Sequence, residues 1–166
     1  MFRVTASAAL AVIAITPLAA SAQQAPTLEF AFEEIVTLGT PVAPGDTPRG
    51  GRLIIPITGG TFEGPDIKGT VMPGGWDWQL RRTDGCTEVE ADYFIKTDDG
   101  VVINVLNTGT ICTDENGKPM AVRTHPVLEA PVGKYEWLNK TTFVGTLDGA
   151  PASAGPAVRI RLYRVR

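Results

Sequence analysis

Beyond residue 27, apolar and polar positions alternate in short runs, and the runs end on glycine, proline, aspartate or asparagine. A period of two marks strands with one buried face, and no segment sustains the i, i+3, i+4, i+7 spacing of a long amphipathic helix. The pattern predicts strands at Leu28 to Thr37, Arg52 to Thr58, Ile67 to Met72, Trp76 to Thr83, Thr87 to Thr97, Val101 to Ile111, Met120 to Thr124, Lys134 to Thr146 and Val158 to Val165. Turn signals such as Gly59-Gly60, Pro73-Gly74-Gly75, Asp84-Gly85 and Asn116-Gly117 separate them. Gly39 to Gly51 and Gly149 to Pro156, rich in glycine, proline and small residues, read as surface loops. This is an all-β signature. So many strands either close into a barrel or stack as a two-layer sandwich, because both limit exposed edges. Short turns between successive strands, and glycines able to relieve bending, favour a single antiparallel barrel.

The first 22 residues stand outside this pattern. Met1-Phe2-Arg3 is a short basic start, Ala8 to Ala19 is almost wholly apolar, and Ala20-Ser21-Ala22 gives the small-x-small pattern of a signal-peptidase site. Cleavage after Ala22 is expected, giving a signal peptide over 1–22, a single domain over 23–166, and a periplasmic or secreted protein. Pro17 interrupts the apolar run, which falls short of the ~20 residues a spanning helix needs. An uncleaved anchor is the second reading, and no membrane association is expected once the signal is removed. The 144 residues that remain suit one core. Arg3 is the only charged residue in the leader, so the mature domain carries 14 basic against 18 acidic residues, a net charge of −4. A nucleic-acid partner is therefore not expected.

Cys86 and Cys112 are the only cysteines, and an even pair in an exported chain reads as a disulfide. Their placement supports that. The runs Thr87 to Thr97 and Val101 to Ile111 flank Asp98-Asp99-Gly100, a three-residue hairpin loop with glycine where positive φ is needed. Setting Thr97 opposite Val101 places Cys86 opposite Cys112 at the open end of the hairpin.

Several pieces together resemble a known family: Gly51-Arg52, Gly59-Gly60-Thr61-Phe62-Glu63-Gly64-Pro65, Gly69-Thr70-Val71-Met72-Pro73-Gly74-Gly75-Trp76-Asp77-Trp78, Arg82-Thr83-Asp84-Gly85, Asp99-Gly100 and Tyr135-Glu136-Trp137-Leu138-Asn139. Their order and spacing are similar to domain of unknown function family 3237, also called uncharacterised protein family 0311. The resemblance covers most of the mature chain. It implies a small antiparallel barrel of the lipocalin-like or allene-oxide-cyclase-like kind, and brings no settled activity. The chain departs from the family in having Leu128 before Glu129, where an aromatic is usual, and in carrying the Cys86 and Cys112 pair.

The mature chain has one serine, Ser153, and one histidine, His125, too little for a Ser/His/Asp triad or a zinc site. Gly59 to Gly64 is followed by Pro65-Asp66 rather than the Lys and Ser or Thr of a phosphate loop. No metal and no cofactor is expected, and His125-Pro126 reads as part of a turn. What is left is a set of aromatic and charged residues on strands. Alternation puts Trp76, Trp78, Leu80 and Arg82 on one face and Asp77, Gln79 and Arg81 on the other, and would set Tyr135, Trp137, Asn139, Thr141 and Phe143 together. One reading is a barrel that binds a small, largely apolar organic ligand through Trp78, Arg82, Tyr135, Trp137 and Asn139. A second is an isomerase, cyclase or lyase needing neither metal nor nucleotide, with Asp77 or Glu129 as acid or base and Arg82 holding an anionic group. An internal Asp–Arg ion pair holding adjacent strands is the structural alternative to those roles, and a third reading is a structural or partner-binding module with the barrel interior packed solid.

Overall fold

A computed structural model describes residues 24–166. The predicted signal peptide lies outside the described residues. The strands are β1 Leu28–Leu38, β2 Val42–Thr47, β3 Gly50–Glu63, β4 Lys68–Val71, β5 Gly75–Arg81, β6 Thr87–Thr97, β7 Val102–Ile111, β8 Val122–Glu129, β9 Phe143–Gly149 and β10 Ala157–Val165. Short 3₁₀ turns at Glu136–Lys140 and Ala152–Ala154 flank β9.

Every pairing is antiparallel, and together they make a closed eight-stranded barrel. Going round the wall, β1 pairs β10, then β9, β8, β7 and β6 follow, and β3 returns to β1. Between β6 and β3, one strand position is shared by two short strands. β5 pairs Gly51 to Ile57 of β3, and β4 pairs Gly60 to Glu63. β3 spans both because Gly59 and Gly60 bend it without ending it, with φ of 142° and 137°. A Cβ on Gly60 would collide with the Ile35 carbonyl of β1, so the barrel closes through a residue that must have no side chain.

The β6–β7 hairpin has the register read from its turn: Thr87 opposes Ile111, Lys96 opposes Val102, and a Cys86–Cys112 disulfide ties the open end with Cα atoms 4.5 Å apart. Val89, Tyr93, Ile95, Ile103 and Val105 are buried on the inward faces of the two strands.

The structure departs from the sequence pattern in four places. Gly59-Gly60, expected to separate strands after Thr58, lies inside the continuous β3. The loop predicted over Gly39 to Gly51 contains β2. Every residue of β2 is exposed, so no alternation marks it, and only its ladder to β3 defines it. Met120 to Thr124 is replaced by the longer β8, which runs through His125 and Pro126. Past Thr124, β8 pairs with β7 alone, and a proline is tolerated where a strand has lost one neighbour.

The strand predicted over Lys134 to Thr146 is the fourth correction: it is a 3₁₀ turn followed by β9. The buried residues Tyr135 and Leu138 are three apart, the period of a 3₁₀ turn rather than of a strand. Asn139 explains why the chain stops there. Its side chain accepts from the Ala130 N–H at 2.7 Å and donates to the Ala130 carbonyl at 2.8 Å, replacing a ladder partner.

This turn closes one end of the barrel. Leu138 and Phe143 pack with Phe32, Phe62, Ile67 and Leu162, while the Arg164 guanidinium lies 4.3 Å from the centre of the Trp137 ring. At the opposite end, where β5, β6 and β7 meet the disulfide, Leu38, Ile111, Leu147 and Val158 are partly exposed and line a cavity rather than a filled core.

Candidate functional site

β5 brings the chemistry indoors. Its register sets Asp77 between Ile55 of β3 and Ala91 of β6, and Gln79 between Leu53 and Val89. Because Val89 belongs to the inner face, Asp77 and Gln79 point into the barrel, and Trp76, Trp78 and Arg82 point away from it. Asp77 and Gln79 line that cavity, of about 80 Å³. Aliphatic side chains from the surrounding strands, Val36, Ile57 and Ile160 among them, make most of its wall, and Tyr93, Asn107 and Thr124 complete its polar part.

The polar groups in this chamber are incompletely paired. Gln79 Nε2 donates to Asp77 Oδ2 at 2.7 Å, while Asp77 Oδ1, Asn107 Oδ1 and Thr124 Oγ1 are buried with no partner within the protein. Buried polar atoms are rarely left so, because each forfeits solvation without recovering a hydrogen bond. Three of them line one small cavity. Burial raises the Asp77 pKa, opposed by hydrogen bonds from Gln79 and from the backbone at Glu90. Behind the wall, the Tyr93 hydroxyl donates to Glu34 Oε2 at 2.5 Å, and Glu34 is fully buried with Oε1 unpaired. Burial pushes the Glu34 carboxyl up to about 7, against the opposing effect of that hydrogen bond. Burial and the neighbouring Glu34 hold the Tyr93 hydroxyl well above the usual range.

Of the residues singled out in the sequence, Asp77 alone enters this chamber. Trp78 lies on the outer wall, 44% exposed. Arg82 is on the same outer side, paired with Asp84 and, at 3.4 Å, with Glu88. Glu129 is exposed beside Phe94 and Val102. Tyr135, Trp137 and Asn139 gather at the closed end, where the Tyr135 hydroxyl donates to Asp99 at 3.0 Å. The structure therefore brings neither Arg82 nor Glu129 to Asp77, and separates Trp78 from Trp137. Arg81 stands above Gln79 on the inner line of β5, in a vestibule of about 220 Å³ that shares Gln79 with the cavity. A larger groove of about 760 Å³ crosses the outer wall past Trp78 and His125. It holds none of the three unpaired atoms except that of Thr124, which reaches it from the inner face.

The residues missed in the sequence had a readable signal. Gln79 shares the face of Asp77, and Tyr93 and Asn107 share the alternating positions of the apolar residues Val89, Ile95, Ile103 and Val105 on the faces of their strands. Glu34 is a carboxylate at an inward position between Phe32 and Val36, the pattern of a charge placed deliberately in a core.

Fold and interior together define a small closed antiparallel barrel with an acid set in a mostly aliphatic chamber. The chain belongs to the DUF3237 family, described as a protein of unknown function, whose family model matches residues 26–165. It is 36% identical over 135 residues to a UPF0311 protein of Rhodopseudomonas palustris, covering 73% of this chain and 88% of that one. A crystal structure of a beta-barrel like protein from Acinetobacter baumannii superposes with a TM-score of 0.79 at 29% identity, covering 89% of this chain and all (100%) of that one. A hydroalkoxylation enzyme of Penicillium herquei is 33% identical over 137 residues, covering 82% of this chain and 84% of that protein.

Proposed function

We propose that this is an exported acid–base enzyme in which Asp77 transfers a proton on a small organic substrate held in the open half of the barrel, a reaction of the cyclase, isomerase or lyase kind. One observation carries the reading: a half-buried carboxyl with one buried, unpaired oxygen and a raised pKa lines a largely aliphatic cavity. A carrier for apolar molecules needs no such group, and a packed structural barrel would bury aliphatic side chains there. Desolvation raises the proton affinity of Asp77, making it a stronger base when ionised than an exposed aspartate. Kinship with a hydroalkoxylation enzyme suggests the reaction, addition of an O–H across a carbon–carbon double bond. In such an addition Asp77 would take the hydroxyl proton as the carbon–oxygen bond forms, and return a proton to the other carbon of the former double bond.

The cavity is smaller than the 300–1,000 Å³ typical of sites that enclose a whole ligand. Only the reacting end of a substrate would enter it, the remainder standing in the vestibule near Arg81. Export accords with the disulfide, since such bonds persist in oxidising compartments.

Incubation with a series of small hydroxy-alkenes, with and without a carbonyl conjugated to the double bond, followed by chiral chromatography, tests the proposal. Cyclic ether should form faster than in buffer with one enantiomer in excess, and Asp77→Asn should lower the rate about 10²- to 10⁴-fold while leaving the fold intact. Racemic product at the buffer rate, or an Asp77→Asn protein as active as the parent, would refute it.

A further inference from the structure

Glu34 is the one Asp or Glu among the described buried polar residues, and the reading above does not use it. Its partner is the Tyr93 hydroxyl, and the Tyr93 ring forms part of the cavity wall that Asp77 also lines. The charge of Asp77 reaches that hydroxyl. Gly75, next to β5's acid-bearing segment, has no Cβ because one would collide with Tyr93, so the tyrosine is held hard against the strand that carries Asp77.

We infer that Tyr93 holds the oxygen of a substrate carbonyl, with Glu34 the positioning residue that aims it, so that the substrates are compounds whose reacting double bond is conjugated to a carbonyl. The inference rests on Asp77 as the acid–base group. As the O–H adds to the β-carbon, Asp77 receives the proton and the π pair moves to the carbonyl oxygen. That oxygen, now an enolate, needs a hydrogen-bond donor in a dry place. Reprotonation of the α-carbon from Asp77 restores the carbonyl, and the sum is a redox-neutral addition. When Glu34 is neutral it donates its own O–H to the Tyr93 oxygen, and the Tyr93 O–H is free to turn to the cavity. When Glu34 is ionised it accepts from Tyr93, and the tyrosine is withdrawn from the substrate.

The surroundings of Glu34 leave few groups to compete. Phe62 of β3 and Ile160 of β10 oppose it across the ladders, and Val36 and Phe32 flank it on its own inward face. Tyr93 of β6 is the titratable group that faces it among the described residues, and Asp77 of β5 faces Tyr93 in turn. With its carboxyl near 7, Glu34 populates both states around neutrality.

Pentafluorophenol, an ionised mimic of the enolate oxygen, serves as the probe, followed by fluorine NMR from about pH 6 to about pH 9. The titrations use the Asp77→Asn background, which removes the other carboxyl from the profile. Affinity should fall about tenfold across that range, Glu34→Gln should retain the acid-side affinity and flatten the profile, and Tyr93→Phe should cost about tenfold at pH 6. In the unsubstituted protein, the ζ-carbon shift of labelled Tyr93 should titrate with a midpoint near 7, a measurement that needs no variant to fold. A pH profile that survives Glu34→Gln, a Tyr93→Phe protein within about twofold of its parent, no phenolate binding, or a Tyr93 signal flat with pH would each overturn the inference. None of these touches the Asp77 reading, which is decided by the cyclisation assay.

Discussion

Glu34 occupies a position where the alternation of β1 calls for an apolar side chain, and its burial couples its proton to folding. In the unfolded chain the carboxyl titrates near 4.5, and in the barrel at about 7. Between those values the folded protein holds a proton that the unfolded chain has released, so folding is favoured most below the lower value. Raising the pH through 7 removes that stabilisation, and above both values the loss is complete. The difference corresponds to roughly 3 kcal/mol. Urea titrations should therefore show lower stability at pH 8 than at pH 4.5, and Glu34→Gln should remove most of that slope; equal slopes in the two proteins would exclude Glu34 as its source. Asp77 adds to the trend in the same direction, since burial raises it too.

At the scale of elements, Asn139 is the residue on which the closed end depends. It alone satisfies both the N–H and the carbonyl of Ala130, where β8 has just ended. Asn139→Ala should cost about 1–3 kcal/mol by leaving these groups unpaired, and hydrogen exchange at Ala130 should quicken first. Exchange at Ala130 unchanged from the parent would show that the turn does not rely on this side chain. The same segment explains where the sequence was legible. Alternation identified β1, β5, β6, β7 and β10 to within a residue or two, because each has one face in the core. It missed β2, whose residues are all exposed, and it turned Tyr135, Trp137 and Asn139 into a strand face because aromatic spacing alone does not separate a strand from a 3₁₀ turn. Which face of β5 turns inward was likewise unreadable from that strand in isolation. Trp76 and Trp78 look more like core than Asp77 does, and only the pairing of Asp77 with Ala91 reverses the choice.

Taken whole, the molecule is divided along its axis. Large side chains fill one end, and the other holds a small chamber with unpaired polar atoms. The disulfide belongs to the hollow end, where less apolar packing holds the strands together, and closing a loop of this size contributes about 3 kcal/mol on the chain-entropy account. If the chain is exported as proposed, expression with its leader in a Gram-negative host should yield a periplasmic protein that begins at Gln23 and has no free thiol. A retained Met1, or two thiols titrating in the native protein, would refute export by this route.

Because Leu138 and Phe143 stopper the far end, anything that reaches Asp77 must leave by the way it came. If Asp77 acts on a substrate as proposed, turnover has a traffic rule: a product that lingers blocks the next arrival, and two molecules never queue from opposite sides. Inhibition by product would be purely competitive, and a bulky group lodged at the disulfide-bound rim would silence the chamber without entering it.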